Sequence, residues 1–165
     1  GGTHVPFVMR WPNRFKGGTS YPHAVSHLDI MPTALGAASL SPQARPIDGV
    51  NLLPHLIGQI TAHPHDNLIW REGHYQAILS DGWKMQRSAS PEMVRLFNLA
   101  QDPLEKNDLS AARGDKVAEL GALLDAHNNQ QADPMWPSNV EIPIWIDKSL
   151  ADKPTLDDEF IYWPN

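Results

Sequence analysis

The 165 residues include no cysteine. Disulfides, zinc ribbons, thiol nucleophiles and iron–sulfur clusters are therefore excluded within the chain. Long apolar runs are missing as well, since nothing approaches the roughly 20 residues that span a bilayer. The opening "GGTHVPF" has neither a charged nor an apolar leader region, so no signal peptide is read there. The chain does not begin with Met and reads as a piece of something longer or a processed product. Runs of Lys or Arg are absent and the formal net charge is −6. A nucleic-acid binder needs a basic stripe to displace counterions from phosphates, and a membrane-surface binder needs a basic cluster, so both classes are disfavoured. Internal repeats, a G-x-S-x-G elbow, a phosphate loop and an H-E-x-x-H helix are also absent.

What is present is enough apolar material for a core, at 41%. Fifteen prolines and six tryptophans suggest an irregular globular chain with many fixed loops. Val5 to Trp11, "VPFVMRW", reads as a short buried strand with Pro near its start. "SHLDIMPTALGAA" reads as a helix. Ser26 is its N-cap, Asp29 closes a capping box, and Pro32 kinks it or divides it into two pieces. Asp48-Gly49 marks a turn, and "NLLPHLIG" a short helix closed by Gly58. Residues 61–67 read as a polar linker at a subdomain boundary. Four strand-like runs follow, "LIWRE", "QAILS", "WKMQR" and "VRLFNL", with Ser80-Asp81-Gly82 turning a hairpin between the second and third. Residues 115–129 are the clearest helix, with Val117, Leu120, Leu123, Leu124 and His127 on one face, packed across the small sheet. From Asp133 on, the Pro- and Trp-rich tail is expected to wrap a larger body.

Candidate chemistry is sparse. His63 and His65 stand in the linker without a third ligand at suitable spacing, and read as part of a solvated loop. His23 and His27 are separated by the cap at Ser26, so they do not share a helix face. "LDDEF" reads as a solvated acidic turn. Asp102, Glu105 and Asp108 are spaced three apart, but Pro103 after Asp102 starts a helical turn with Glu105 closing its box. That accounts for the acids without calcium, which would take six or more oxygens. "IWREGHYQAI" is more suggestive. Gly73 permits a sharp turn, and it gathers Arg71, His74, Trp70 and Tyr75 on one loop. A guanidinium there is suited to a sulfate or carboxylate.

Several phrases then line up in order. "GGTHVPFVMRWPNRF" resembles E-G-G-x-R-V-P-x-x-x-x-W-P-G of sulfatases, and "VSHLDIMPTALGAA" their V-S-x-x-D-x-x-P-T-x-L-x-x-A. "DGVNLLPHLIG" resembles D-G-x-x-L-x-P-x-L-x-G, "AILSDGWKM" resembles A-x-R-x-G-x-W-K, and "LFNLAQDPLEKNDLS" resembles L-Y-D-L-x-x-D-P-x-E-x-x-N-L. The five motifs span about Gly1 to Ser110, and the chain resembles the C-terminal third of a sulfatase of the alkaline-phosphatase superfamily.

The resemblance implies an α/β fold, α+β in its second half. Residues 1–60 would be the end of the α/β core at the edge of its large sheet. Residues 61–132 would form a small antiparallel-sheet subdomain with its helix, and 133–165 a wrapping tail. It implies hydrolysis of sulfate esters through a formylglycine and a divalent metal, usually Ca2+, with a sulfated small molecule or glycan as substrate. A periplasmic, secreted or lysosomal location is expected from the same resemblance. The formylglycine motif, the acidic ligand pairs and the sulfate-contacting Lys match no position here. The chain alone is therefore expected to be inactive and to depend on a missing N-terminal segment as partner. His4 and the loop of Trp70, Arg71 and His74 would reach the substrate cleft. Sulfatases usually carry Arg where His4 stands, which leaves the local salt-bridging open. A strand built for a larger sheet would expose an apolar patch around Val5 to Trp11. Two alternatives stand beside this reading: a related phosphatase, phosphodiesterase or phosphonate monoester hydrolase, and a free-standing carbohydrate-binding or interaction module with aromatic stacking platforms.

Overall fold

Ser26 opens the first ordered element through a reciprocal cap. Its hydroxyl accepts from Leu28 N–H, and its own N–H donates to the Asp29 carboxylate at 2.8 Å. In the computed structural model a 3-10 turn, His27–Asp29, leads straight into helix α1, Ile30–Ala37. Pro32 falls in the first turn of α1, where a missing N–H removes no helical bond, so the helix runs through it and, contrary to expectation, is not divided there; the 3-10 turn and α1 meet at Asp29 and Ile30. Helix α2, Leu53–Leu56, is short and is followed by Gly58 in the left-handed region at φ 75°. The structure describes residues 3–41, 47–89, 91–132, 141–146, 148–149, 151–153, 155, 158 and 160–164.

Two compact units divide the chain, Gly1–Leu68 and Ile69–Asn165. The first corrects one expectation. Val5 to Trp11 forms no strand and is not buried, with Val8 88% exposed. A strand needs a neighbour to take its N–H and C=O groups, and none among the described residues pairs with it.

A four-stranded antiparallel meander dominates the second unit, in the order β1 (Asn67–Glu72), β2 (Tyr75–Ser80), β3 (Trp83–Ala89), β4 (Glu92–Asn98). Asp81 and Gly82 both hold positive φ, 45° and 74°, and Ser80 pairs with Trp83 across them. That is the two-residue hairpin turn whose twist matches the strands. Helix α3, Gly114–Asn128, buries Leu120 and Leu124 against Ile78, Met85 and Leu96 of the sheet. Val117 packs on this core, but Leu123 is exposed, because the apolar stripe is narrower than the sequence suggested. The free edge of β4 is covered at Leu96, whose N–H donates to Asp108 and whose carbonyl accepts from Leu109. A separate antiparallel pair joins β5 (Glu141–Trp145) to β6 (Phe160–Pro164). The expected wrapping tail is 133–165, of which residues 133–140, 147, 150, 154, 156, 157, 159 and 165 lie outside the described residues. Of the three acids in "LDDEF", Asp158 is described, and it bonds Lys148 and the Thr155 N–H instead of standing solvated alone. No helix among the described residues is long and apolar enough to cross a membrane.

Candidate functional site

The turn between β1 and β2 carries three of the four residues singled out in the sequence. Trp70 and Arg71 lie in the second half of β1, which ends at Glu72, Gly73 turns in the left-handed region at φ 54°, and His74 precedes β2. Strand alternation sends Trp70 and Arg71 to opposite faces. Trp70 and Tyr75 are half-buried, whereas Arg71 and His74 are exposed. Ala89 N–H donates to the His74 carbonyl at 3.3 Å and ties the turn to the end of β3. Arg71 has no ion-pair or hydrogen-bond partner among the described residues, so its five donors face solvent. Such a group suits an oxyanion. His4 belongs to the first unit, where it is exposed and outside any helix or strand.

A second constellation lies within the first unit. Asp29 is fully buried. Its carboxylate accepts from Ser26 N–H at 2.8 Å, from Val50 N–H at 2.8 Å and from His65 Nε2 at 2.9 Å. One side chain thus joins the cap, the segment after Asp48-Gly49 and the linker. Gly49 is required there, because a Cβ would lie 2.0 Å from the Leu28 carbonyl oxygen. Thr33 continues the network, its hydroxyl accepting from Leu52 N–H at 2.9 Å. His55, also buried, holds the Ala62 carbonyl through Nδ1 at 3.1 Å.

The solvated-loop reading of His65 is therefore wrong. Its side chain is 11% exposed and serves as the partner of Asp29. The linker is drawn in because a buried carboxylate needs donors, and His65 supplies one. His63 remains exposed, with its ring 4.2 Å from that of His23. Asp29 was legible as a capping residue, but no spacing rule reaches a partner 36 positions away.

Acids 102 to 108 also depart from expectation. No helix follows Pro103, and Glu105 closes no box. Asp102 instead accepts from Asn107 N–H at 2.7 Å, and that bond leads the causes holding its carboxyl below the ordinary value. Glu105 turns inward to Lys84, whose Nζ donates to both carboxylate oxygens at 2.8 and 2.9 Å, while Gln86 adds a third donor at 2.9 Å. Burial pushes the Glu105 carboxyl up, but cationic groups, Lys84 first among them, oppose it and the net shift is downward. For Asp108, burial again pushes up, and N–H groups of Ser110 and Leu96 pull further down. These three acids are structural. Among the described residues no three His, Asp or Glu side chains converge as a metal site.

No family model matches the chain. The chain is 34% identical over 199 aligned positions to the steryl-sulfatase of Rattus norvegicus, a match that covers 93% of this chain and 34% of that protein. It therefore spans about a third of the length of that relative. It superposes on a 2-O GAG sulfatase with a TM-score of 0.53 at 21% identity, covering 62% of this chain and 24% of the other. Superposition on a protein solved with its substrate D-glucosamine-2-N,6-O-disulfate gives a TM-score of 0.59 at 22% identity, covering 73% and 27%. At these identities the two structures establish likeness of fold.

Proposed function

The chain belongs to the sulfatases, as a C-terminal portion of one, and from that premise we propose that the intact protein hydrolyses sulfate esters of small molecules or glycans. The observation that carries this is the match to a steryl-sulfatase along 93% of the chain. The sulfatase motifs also have physical work in this fold, since Asp29, Gly49, Lys84 and Glu105 each hold one of them in place. The family uses a formylglycine and a divalent metal. This chain's residues do not fit either group, because the described acids and imidazoles do not converge and no Cys or Ser stands in a C/S-x-P-S-R motif. On this proposal the nucleophile and the metal ligands, for Ca2+ in our reading, lie upstream of Gly1.

The part left to this chain is to complete the fold and bind substrate. Arg71 would meet a sulfate or carboxylate of the substrate, with His74 on the same turn, whereas Trp70 faces the other side of β1 and His4 stands in the first unit. A glycan substrate is supported by the two superposed structures, one a GAG sulfatase and one holding a sulfated glucosamine. The test is to express the longer reading frame that contains this chain and assay 4-nitrophenyl sulfate beside 4-nitrophenyl phosphate. Preferential sulfate release is expected. Preferential phosphate release would favour a phosphatase or phosphodiesterase instead. In the same protein Arg71→Ala should raise KM on a sulfated glucosamine by about tenfold, the worth of one hydrogen bond to a charged group. An unchanged KM would remove Arg71 from the binding site. Saturable binding of sulfated glycans by the 165 residues alone, with no activity in the longer frame, would instead favour a free-standing binding module.

A further inference from the structure

Ahead of Asp29 the sequence holds no carboxylate and three cations, Arg10, Arg14 and Lys16, in a chain whose formal net charge is −6. All three are exposed, and among the described residues none has an ion-pair or side-chain hydrogen-bond partner. Arg10 precedes two successive turns that carry the other two. Arg14 N–H and Phe15 N–H both donate to the Trp11 carbonyl at 2.9 Å, which folds the chain back over Trp11. Lys16 opens the second turn. The Thr19 hydroxyl closes it by donating to the Lys16 carbonyl at 2.7 Å, with Gly18 in the left-handed region at φ 77°.

Aromatic contacts hold one of these cations. The Arg14 guanidinium lies 5.5 Å from the Trp11 ring centroid, and Phe15 meets Trp11 edge-on with centroids 6.1 Å apart. A ring attracts a guanidinium through its quadrupole but does not neutralise it, and leaves N–H donors available. Arg14 thus keeps its charge and donors while giving up in advance part of the rotamer freedom that binding would cost. Trp11 and Phe15 are half-buried, so ring surface stays in water beside the cations.

We propose that loop 10–16 is a second binding site, carried by the first unit and distinct from the Arg71 turn of the second, for a sulfated glycan. Arg14, Arg10 and Lys16 would take sulfate half-esters, and Trp11 with Phe15 the apolar C–H face of a sugar ring. Two weak contacts to one polymer hold it through effective concentration, so the loop would retain a long substrate between cleavages. The choice of a glycan rests on the sulfatase reading given above. A nucleic acid fits less well, because tight duplex binding draws on about 6–10 phosphate contacts, and three cations stand here.

Titration calorimetry of the longer protein that contains this chain, with a heparin octasaccharide as the probe, tests the site. Binding should be saturable and should weaken with added salt. Arg14→Ala should weaken it by at least about tenfold, the loss of hydrogen bonds from one charged group. Because that change also uncovers Trp11, Arg10→Ala with Lys16→Ala is made beside it, at two side chains without a described partner, and should weaken binding by a similar factor. Lys106→Ala removes an exposed cation of the second unit and should not weaken it. Arg71→Ala should retain the binding that Arg14→Ala loses. Unchanged affinity in both loop variants, or loss in Arg71→Ala alone, would overturn the proposal. Equal affinity for the desulfated octasaccharide would overturn it, since sulfate would then be irrelevant. So would equal affinity for inorganic sulfate, an adventitious ion only, or for a poly(dT) strand of the same charge, a general polyanion site. Release of sulfate from 4-nitrophenyl sulfate is scored separately. Binding at the loop without hydrolysis keeps the site and fails the enzymatic reading, and hydrolysis without binding at the loop does the reverse.

Discussion

Glu105 holds a φ of 55°, a conformation that costs a residue with a side chain about 1–2 kcal/mol. The return is an inward carboxylate against Lys84, with the two side chains only 8% and 4% exposed. A buried pair of this kind is worth little over an apolar replacement, but breaking it strands a charge, at about 3–5 kcal/mol. Glu105→Gln should therefore lower stability by roughly that amount. Lys84→Met combined with Glu105→Leu should recover most of it, and urea unfolding of the full chain measures both. If the double variant is no better than the single one, the isolated charge is not what matters. The same carboxylates set an acid limit. Glu105 and Asp108 have pKa values lowered from 4.5 and 3.8 in the folded state. A lowered folded pKa means that the folded state binds protons less readily than the unfolded one. The associated stability is full above those ordinary values and drains away as pH falls through the folded ones. The unfolding midpoint of the second unit should thus drop as pH falls below 4.5, and Glu105→Gln with Asp108→Asn should flatten that fall.

Two turns show how differently one residue type can be required by an element. Gly82 has open space where a Cβ would go, so Gly82→Ala costs only the left-handed backbone, about 1 kcal/mol. Gly49 needs no unusual φ, yet its Cβ would meet the backbone oxygen of Leu28 at 2.0 Å. Gly49→Ala must push the Asp29 turn away from Val50, and should destabilise more than Gly82→Ala in thermal melts of the full chain. The opposite order would mean the first unit yields easily at that contact. The hairpin glycine was legible in the sequence, because Asp-Gly between two alternating runs is a local signal. So were the cap at Ser26 and most of the buried stripe of α3, each decided within a few residues. Val5 to Trp11 was not, since β-rich composition forms a strand only beside a neighbour. Glu105 and His65 were misread for a related reason. Their partners lie 21 and 36 positions away, and the demand of a buried charge for a counterpart overrode the local capping and loop signals.

Across the whole molecule the two units rest on different kinds of interior. The second is an apolar core in which α3 closes the sheet through Leu120 and Leu124. The first is a polar network with Leu52 and Leu68 as its described buried hydrophobic residues. Hydrogen bonds contribute about 1 kcal/mol net apiece because the unfolded chain bonds to water, whereas each fully buried aliphatic side chain contributes about 1.5–3 kcal/mol. A polar interior can thus fix geometry without supplying much stability, which suits a segment that is completed by another body. In the 165-residue chain, amides of α1 should exchange with an opening free energy at least about 2 kcal/mol below those of β3, the worth of one such side chain. Native-state hydrogen exchange resolves the two sets of amides. Exchange of α1 only at the level of β3 would show the first unit to be as stable as the second, and its polar interior would then supply more than hydrogen bonding allows.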